Sequence, residues 1–146
     1  MNYKLIIIFF ASLYLLSCSS SSDVSKDKVF QIDYYTSGGF AGKSNGFTIY
    51  SNGKVYYWNG ITAVNRTLTD STVLDKDAIN KISELIQDST IYSYNYQDKG
   101  NLTSILKINS ENKTNSITFS GTVPPERFPE QIKSLILELN KVSNKK

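Results

Sequence analysis

The pair Asn52-Gly53 constrains the fold of this chain more than any other two residues. It lies between Phe47-Thr48-Ile49-Tyr50 and Val55-Tyr56-Tyr57-Trp58, two runs rich in β-branched and aromatic residues that suit a pleated sheet. A two-residue hairpin turn needs φ > 0 at both central positions, and Asn-Gly meets that need at least cost. The pattern therefore predicts antiparallel strands over Gly46–Ser51 and Lys54–Asn59.

The rest of the domain is read in the same way. From Lys28 to Ser37, Phe30, Ile32 and Tyr34 alternate with Val29, Gln31, Asp33 and Tyr35, as in a strand with two unlike faces. Gly60 to Val73 is polar and Thr-rich, with room for one short strand at Arg66–Leu68. Asp75 is placed to cap a helix whose first turn holds Asp77 and whose stripe is Ile79, Ile82, Leu85 and Ile86, ending near Asp88. Ile91–Tyr96 reads as strand-like, and Leu102–Ile108 and Thr114–Ser120 as a second hairpin across Asn109–Lys113. After the Gly121–Arg127 loop, Pro129 suits the first turn of a last helix with the apolar face Phe128, Ile132, Leu135, Ile136, Leu139 and Val142. Burying such side chains contributes roughly 1.5–3 kcal/mol each as an upper bound. The expected fold is α+β. It has one antiparallel sheet of four to six strands and two amphipathic helices in the order β-β-β-α-β-β-α, filling a single domain at 28–143.

Composition excludes several chemistries. The chain has no histidine, which removes the commonest general base and metal ligand and with them Ser-His-Asp and Cys-His catalysis. A carboxylate pair could still hydrolyse glycosides, but Asp75, Asp77, Asp98, Glu111 and Glu130 fall in helix starts and turns where capping and solvation account for them. No enzyme activity, cofactor or metal is expected. The net charge of +3 is too small and dispersed to form the basic stripe of a nucleic-acid binder. Cys18 is the only cysteine, so no internal disulfide is available.

The N-terminus has its own logic. Lys4 precedes a twelve-residue apolar run, Leu5–Leu16. That is the layout of an export signal, and it is shorter than the about 20 residues a membrane-spanning helix needs. Leu15-Leu16-Ser17-Cys18 resembles the lipobox of bacterial lipoproteins. The resemblance implies cleavage after residue 17, a diacylglycerol thioether and further acylation on Cys18, and membrane anchoring in the cell envelope, the outer membrane being expected and the leaflet open. Each buried methylene adds about 0.8 kcal/mol, so two or three acyl chains hold far better than one. Residues 18–27, Ser-rich and without apolar periodicity, read as a flexible tether.

The least ordinary stretch of the domain is Ser37-Gly38-Gly39-Phe40-Ala41-Gly42. Three glycines in five residues give access to φ > 0 and let backbone approach another surface closely. The segment resembles the end of the first strand in emfourin, a small bacterial inhibitor of thermolysin-like zinc proteases. The likeness in layout spans Val29 to Val142, and its specific identity covers about six residues. The Asn52-Gly53 hairpin, the Thr-rich segment to Val73 and the anchor depart from those inhibitors. The resemblance implies a non-catalytic protein-binding domain that occludes a metalloprotease cleft through Gly38, Gly39, Phe40, Ala41 and Gly42, with Gly121–Arg127 beside them and Phe40 as anchor.

The competing expectation is a structural or carbohydrate-contacting envelope lipoprotein. Tyr92, Tyr94 and Tyr96 fall on one face of the expected strand, and Tyr56, Tyr57 and Trp58 lie together, although sheet propensity alone explains such residues. Asn65-Arg66-Thr67, Asn101-Leu102-Thr103 and Asn112-Lys113-Thr114 match an N-glycosylation pattern that chance also produces in so Asn- and Thr-rich a chain. Asp70-Ser71-Thr72 and Asp88-Ser89-Thr90 resemble an O-glycosylation site of some Gram-negative groups.

Overall fold

The structure is a computed structural model that describes residues 29–39, 41–61 and 63–144. The expected signal (1–17), the tether (18–27) with Cys18, and Phe40 lie outside the described residues. Along the chain run β1 (Phe30–Gly38), β2 (Lys43–Tyr50), β3 (Lys54–Ile61), β4 (Asn65–Val73), α1 (Lys76–Leu85), α2 (Ser89–Ser93), β5 (Leu102–Ser110), β6 (Lys113–Ser120) and α3 (Glu130–Ser143). The strands form one antiparallel sheet in the order β4-β3-β2-β1-β5-β6. β1 is central, joining a four-stranded meander to the β5–β6 hairpin.

The α+β class holds, and the helix count and element order are corrected. There are six strands and three helices among the described residues, in the order β-β-β-β-α-α-β-β-α. Two segments cause the difference. β4 is a full nine-residue strand rather than a short one at Arg66–Leu68. Each of its residues is exposed overall, so it has no buried apolar face to produce a hydrophobic alternation. Ile91–Tyr96 opens inside a helix, because Asp88 restarts helical geometry by accepting a hydrogen bond from the Thr90 N–H at 2.7 Å. Those Thr90 bonds hold the Asp88 carboxyl below the usual carboxylate range.

The first hairpin stands where it was expected, with a different turn. Its loop is Ser51-Asn52-Gly53, closed by the Gly53 N–H on the Tyr50 carbonyl at 2.9 Å. Only Gly53 takes positive φ (81°), and the Asn52 side chain accepts from the Lys54 N–H at 3.1 Å. This is the three-residue alternative to a two-residue turn, with its single left-handed position filled by glycine.

Period-two alternation builds the core. Ile32, Tyr34, Phe47, Ile49, Tyr57, Leu106, Ile117 and Phe119 share the helix-facing side of the sheet and are buried. Ile82, Ile86, Ile91, Ile132, Leu135, Ile136 and Leu139 cover them. Asp75 caps α1 by accepting from the Ala78 N–H at 2.8 Å, while Pro129 takes the N-cap of α3 instead of its first turn.

The last helix lies across the strands. Phe128, just before it, packs edge-on against Phe119 of β6 at 5.5 Å, and near its end the Val142 carbonyl accepts from the Tyr57 hydroxyl of β3 at 2.9 Å. From β6 to β3 is four strand spacings, about 19 Å. The 14 residues of α3 span about 21 Å. Helix length and crossing distance match, so one element bridges both halves of the sheet.

Candidate functional site

Antiparallel pairing brings the β1–β2, β3–β4 and β6–α3 connections, and the approach to β5, to one pole of the sheet. The glycine segment is the β1–β2 connection. Gly38, Gly39 and Gly42 have φ of 147°, 74° and 59°, in the region side chains avoid. A Cβ on Gly38 would overlap the Asn101 carbonyl oxygen, whereas positions 39 and 42 face open space. The Gly39 N–H donates to that same Asn101 oxygen at 2.8 Å, and the Gly42 N–H donates to the Gly39 carbonyl at 3.1 Å. Ala41 is exposed.

The Gly121–Arg127 loop is fastened to the same short segment. The Gly121 N–H donates to the Leu102 carbonyl at 2.8 Å, and its own carbonyl accepts from the buried Ser104 hydroxyl at 2.6 Å. Both loops singled out in the sequence thus share one rim, held by residues 101–104. The other connections there carry exposed aliphatic side chains: Ile61 and Val64 beside β3–β4, Leu102 at the start of β5, and Val123 after β6. Val64 is 85% exposed and Val123 77%, more than any other large apolar residue described.

No family model matches the chain, and no curated protein is similar to it.

Away from the rim, the face of the sheet opposite the helices holds a polar cluster that sequence reasoning missed. Asp33 Oδ1 accepts from the Thr48 hydroxyl at 2.6 Å and from Arg66 Nη1 at 2.8 Å, and the Trp58 indole N–H donates to Thr48 Oγ1 at 3.3 Å. The Arg66 guanidinium lies 4.0 Å from the Trp58 ring centroid. Arg66 is on β4 and Asp33 on β1, three strands apart. In a flat sheet that is about 14 Å, beyond one side chain's reach. The sheet therefore curls, and its open face is concave. The rings of Tyr35 and Trp58 meet at 5.3 Å across β2, where Gly46 faces them without a side chain. The one sequence sign was Asp33 itself, a carboxylate between Ile32 and Tyr34 near the middle of β1.

The tyrosines do not form a shared flat platform. Tyr92 belongs to α2, Tyr94 and Tyr96 stack on each other and pack edge-on against Phe128, and Tyr57 is in the core. Among the described residues no group of three His, Cys, Asp or Glu side chains could hold a metal ion. No described helix is long and apolar enough to cross a membrane.

Proposed function

We propose that this chain is an envelope lipoprotein, anchored through Cys18, whose domain binds another protein at the glycine rim without performing chemistry. Its partner in this reading is a thermolysin-like metalloprotease, inhibited by occlusion of the active-site cleft. The observation that carries the proposal is the joint fastening of the Gly38–Gly42 and Gly121–Arg127 loops to residues 101–104. Two loops held by backbone hydrogen bonds lose little freedom on binding, which favours a rim that is already shaped. The exposed aliphatic residues around it suit a desolvated contact, and a specific complex buries about 1,600 Å² in total.

The direction of β1 fits this arrangement. The strand begins at Phe30, at the pole opposite the rim, and its nine residues extend about 30 Å. A tether arriving at residue 29 would leave the rim facing away from the lipid.

The test is the activity of a thermolysin-like protease with the purified chain added in micromolar excess. Inhibition is expected, and it should be lost in Gly38→Ala, whose new methyl group would displace the loop from Asn101. Full protease activity at that excess would end the reading for this enzyme class.

A further inference from the structure

The sheet has two outer strands, and the chain treats them differently. The outer edge of β6 is covered by the segment 91–98. The Thr118 N–H donates to the Tyr96 carbonyl and the Thr118 carbonyl accepts from the Asp98 N–H, each at 2.9 Å. Side chains extend that cover, with Gln97 Nε2 donating to the Ser116 carbonyl at 2.7 Å and Asn115 Nδ2 to the Tyr94 carbonyl at 2.9 Å. Among the described residues no strand lies outside β4.

An open edge is a template for a further strand. β4 is nine residues long and contains neither lysine nor proline, and Thr67, Thr69, Thr72 and Val73 are β-branched. Its one cation, Arg66, is turned onto Asp33. The outward backbone groups follow from the pairing. The Leu74 N–H donates to the Gly53 carbonyl at 2.9 Å, so position 74 bonds inward, towards the start of β3. Antiparallel bonding alternates along a strand, so Thr72 and Asp70 also bond inward, while Ser71 and Val73 point outward.

Two features meet at this point of the edge. The register slips between Tyr57 and Trp58, leaving Thr69 as the extra residue of a bulge that bends the strand just before Asp70. Asp70 Oδ1 then accepts from the Ser71 N–H at 2.7 Å. The first outward donor after the bulge is therefore already held by a carboxylate of its own strand. Asp70 forms no ion pair among the described residues, so no cation draws that carboxylate away.

We infer that the Asp70 carboxylate is a latch that keeps β4 from pairing with a second copy of this chain. Antiparallel pairing of two β4 strands about Ser71 turns each Ser71 N–H onto the Ser71 carbonyl of the other copy and sets Asp70 opposite Thr72. The N–H has a single hydrogen, so the latch and the intermolecular ladder compete for it. A bond to a carboxylate is roughly twice as strong as one to a neutral carbonyl. By symmetry the exchange is made twice, and it brings two like charges onto one face of the joined sheet. Ser71 and Val73 lie towards the pole opposite the glycine rim, so the latch is independent of protein binding there.

The experiment measures sedimentation of the purified full-length chain in detergent over a wide range of concentration, with amide hydrogen exchange read at Val73. Wild type is expected to sediment as single copies at every concentration and to exchange fast at Val73. Asp70→Ala and Asp70→Thr are expected to associate as concentration rises, slowing that exchange about tenfold or more. Asp70→Asn keeps an accepting oxygen without the charge and is expected to associate less than Asp70→Ala. Adding Val73→Pro to Asp70→Ala removes an outward N–H that β3 does not use, and is expected to restore single copies. Wild type that pairs with slowed exchange at Val73 overturns the proposal, as do Asp70→Ala and Asp70→Thr chains that stay single. So does Asp70→Asn associating as strongly as Asp70→Ala, or association that survives Val73→Pro.

Discussion

Arg66 Nη1 lies 2.8 Å from Asp33 Oδ1, joining the outermost strand of the meander to the central strand of the sheet. The Asp33 side chain is 9% exposed and that of Arg66 29%, so the pair is only partly solvated. Removing one partner leaves the other poorly compensated. Asp33→Ala is expected to cost about 2–4 kcal/mol, somewhat below the range for a fully buried pair. Urea denaturation checks the value, and adding Arg66→Met to Asp33→Ala should cost less than the two single changes summed.

Gly46 is expected to tolerate no side chain. A Cβ there would overlap the Tyr35 Cβ and the Tyr34 carbonyl oxygen, both on the neighbouring strand. Gly46→Ala must push β1 and β2 apart or separate Tyr35 from Trp58, at a cost of about 3 kcal/mol or more. A melting temperature within 2–3 °C of wild type, well under the shift such a cost implies, would show that the strands can part freely.

Alkali should unfold the domain through its core tyrosines. Burial pushes the Tyr34 phenol up to about 12, with a Ser104 hydrogen bond pulling weakly the other way. Burial, helped by the nearby charge of Asp70, also raises Tyr57. Both groups are neutral acids whose folded pKa exceeds the unfolded one, so above about pH 10 the unfolded chain holds fewer protons than the folded one. Stability is therefore intact below about pH 10 and falls as pH climbs towards 12. Tyr34 accounts for at most about 3 kcal/mol of that loss. Denaturant midpoints for wild type and Tyr34→Phe between pH 9 and 12 test this, and the variant should show the shallower decline.

Phe128 touches three rings, with centroids 5.3 Å (Tyr94), 4.9 Å (Tyr96) and 5.5 Å (Phe119) away. Phe128→Ala is expected to cost about 3–5 kcal/mol and to weaken the near-ultraviolet dichroism of the tyrosines. An unchanged spectrum would mean that the rings are held by something other than this hub.

Anchoring through Cys18 predicts that Cys18→Ala is recovered in the soluble fraction of the producing cell, whereas the wild-type protein sediments with membranes. A variant that still sedimented would remove the lipid from the proposal.

What could be read in the sequence depended on whether a residue's neighbours in the fold were also near it in the chain. The alternation of Phe30, Ile32 and Tyr34 predicted β1 and its buried face, and the stripe Ile132, Leu135, Ile136 and Leu139 predicted α3, because each pattern records one-sided burial. β4 has no such side and left no pattern. The Asp88 cap holds a helix of only five residues, and the apolar positions from Ile91 read as strand-like alternation instead. In the rim, Gly38, Gly39 and Gly42 were visible as unusual backbone, but their attachment to Asn101 joins positions some sixty residues apart. Arg66 stood in the sequence as one residue of a polar stretch. Only the curl of the sheet gives it Asp33 and Trp58 as neighbours.

The crosswise course of α3 bears on the order in which the molecule can assemble. Tyr57 waits for Val142, and Phe30 pairs with Ser110, so neither half of the sheet is sealed until the last helix has been synthesised. Closing such long loops precedes most of the reward for closing them, which slows the final step and keeps the nascent polypeptide pliable. Ribosome-stalled fragments ending before residue 130 should accordingly stay protease-sensitive, and maturation should come as one late event.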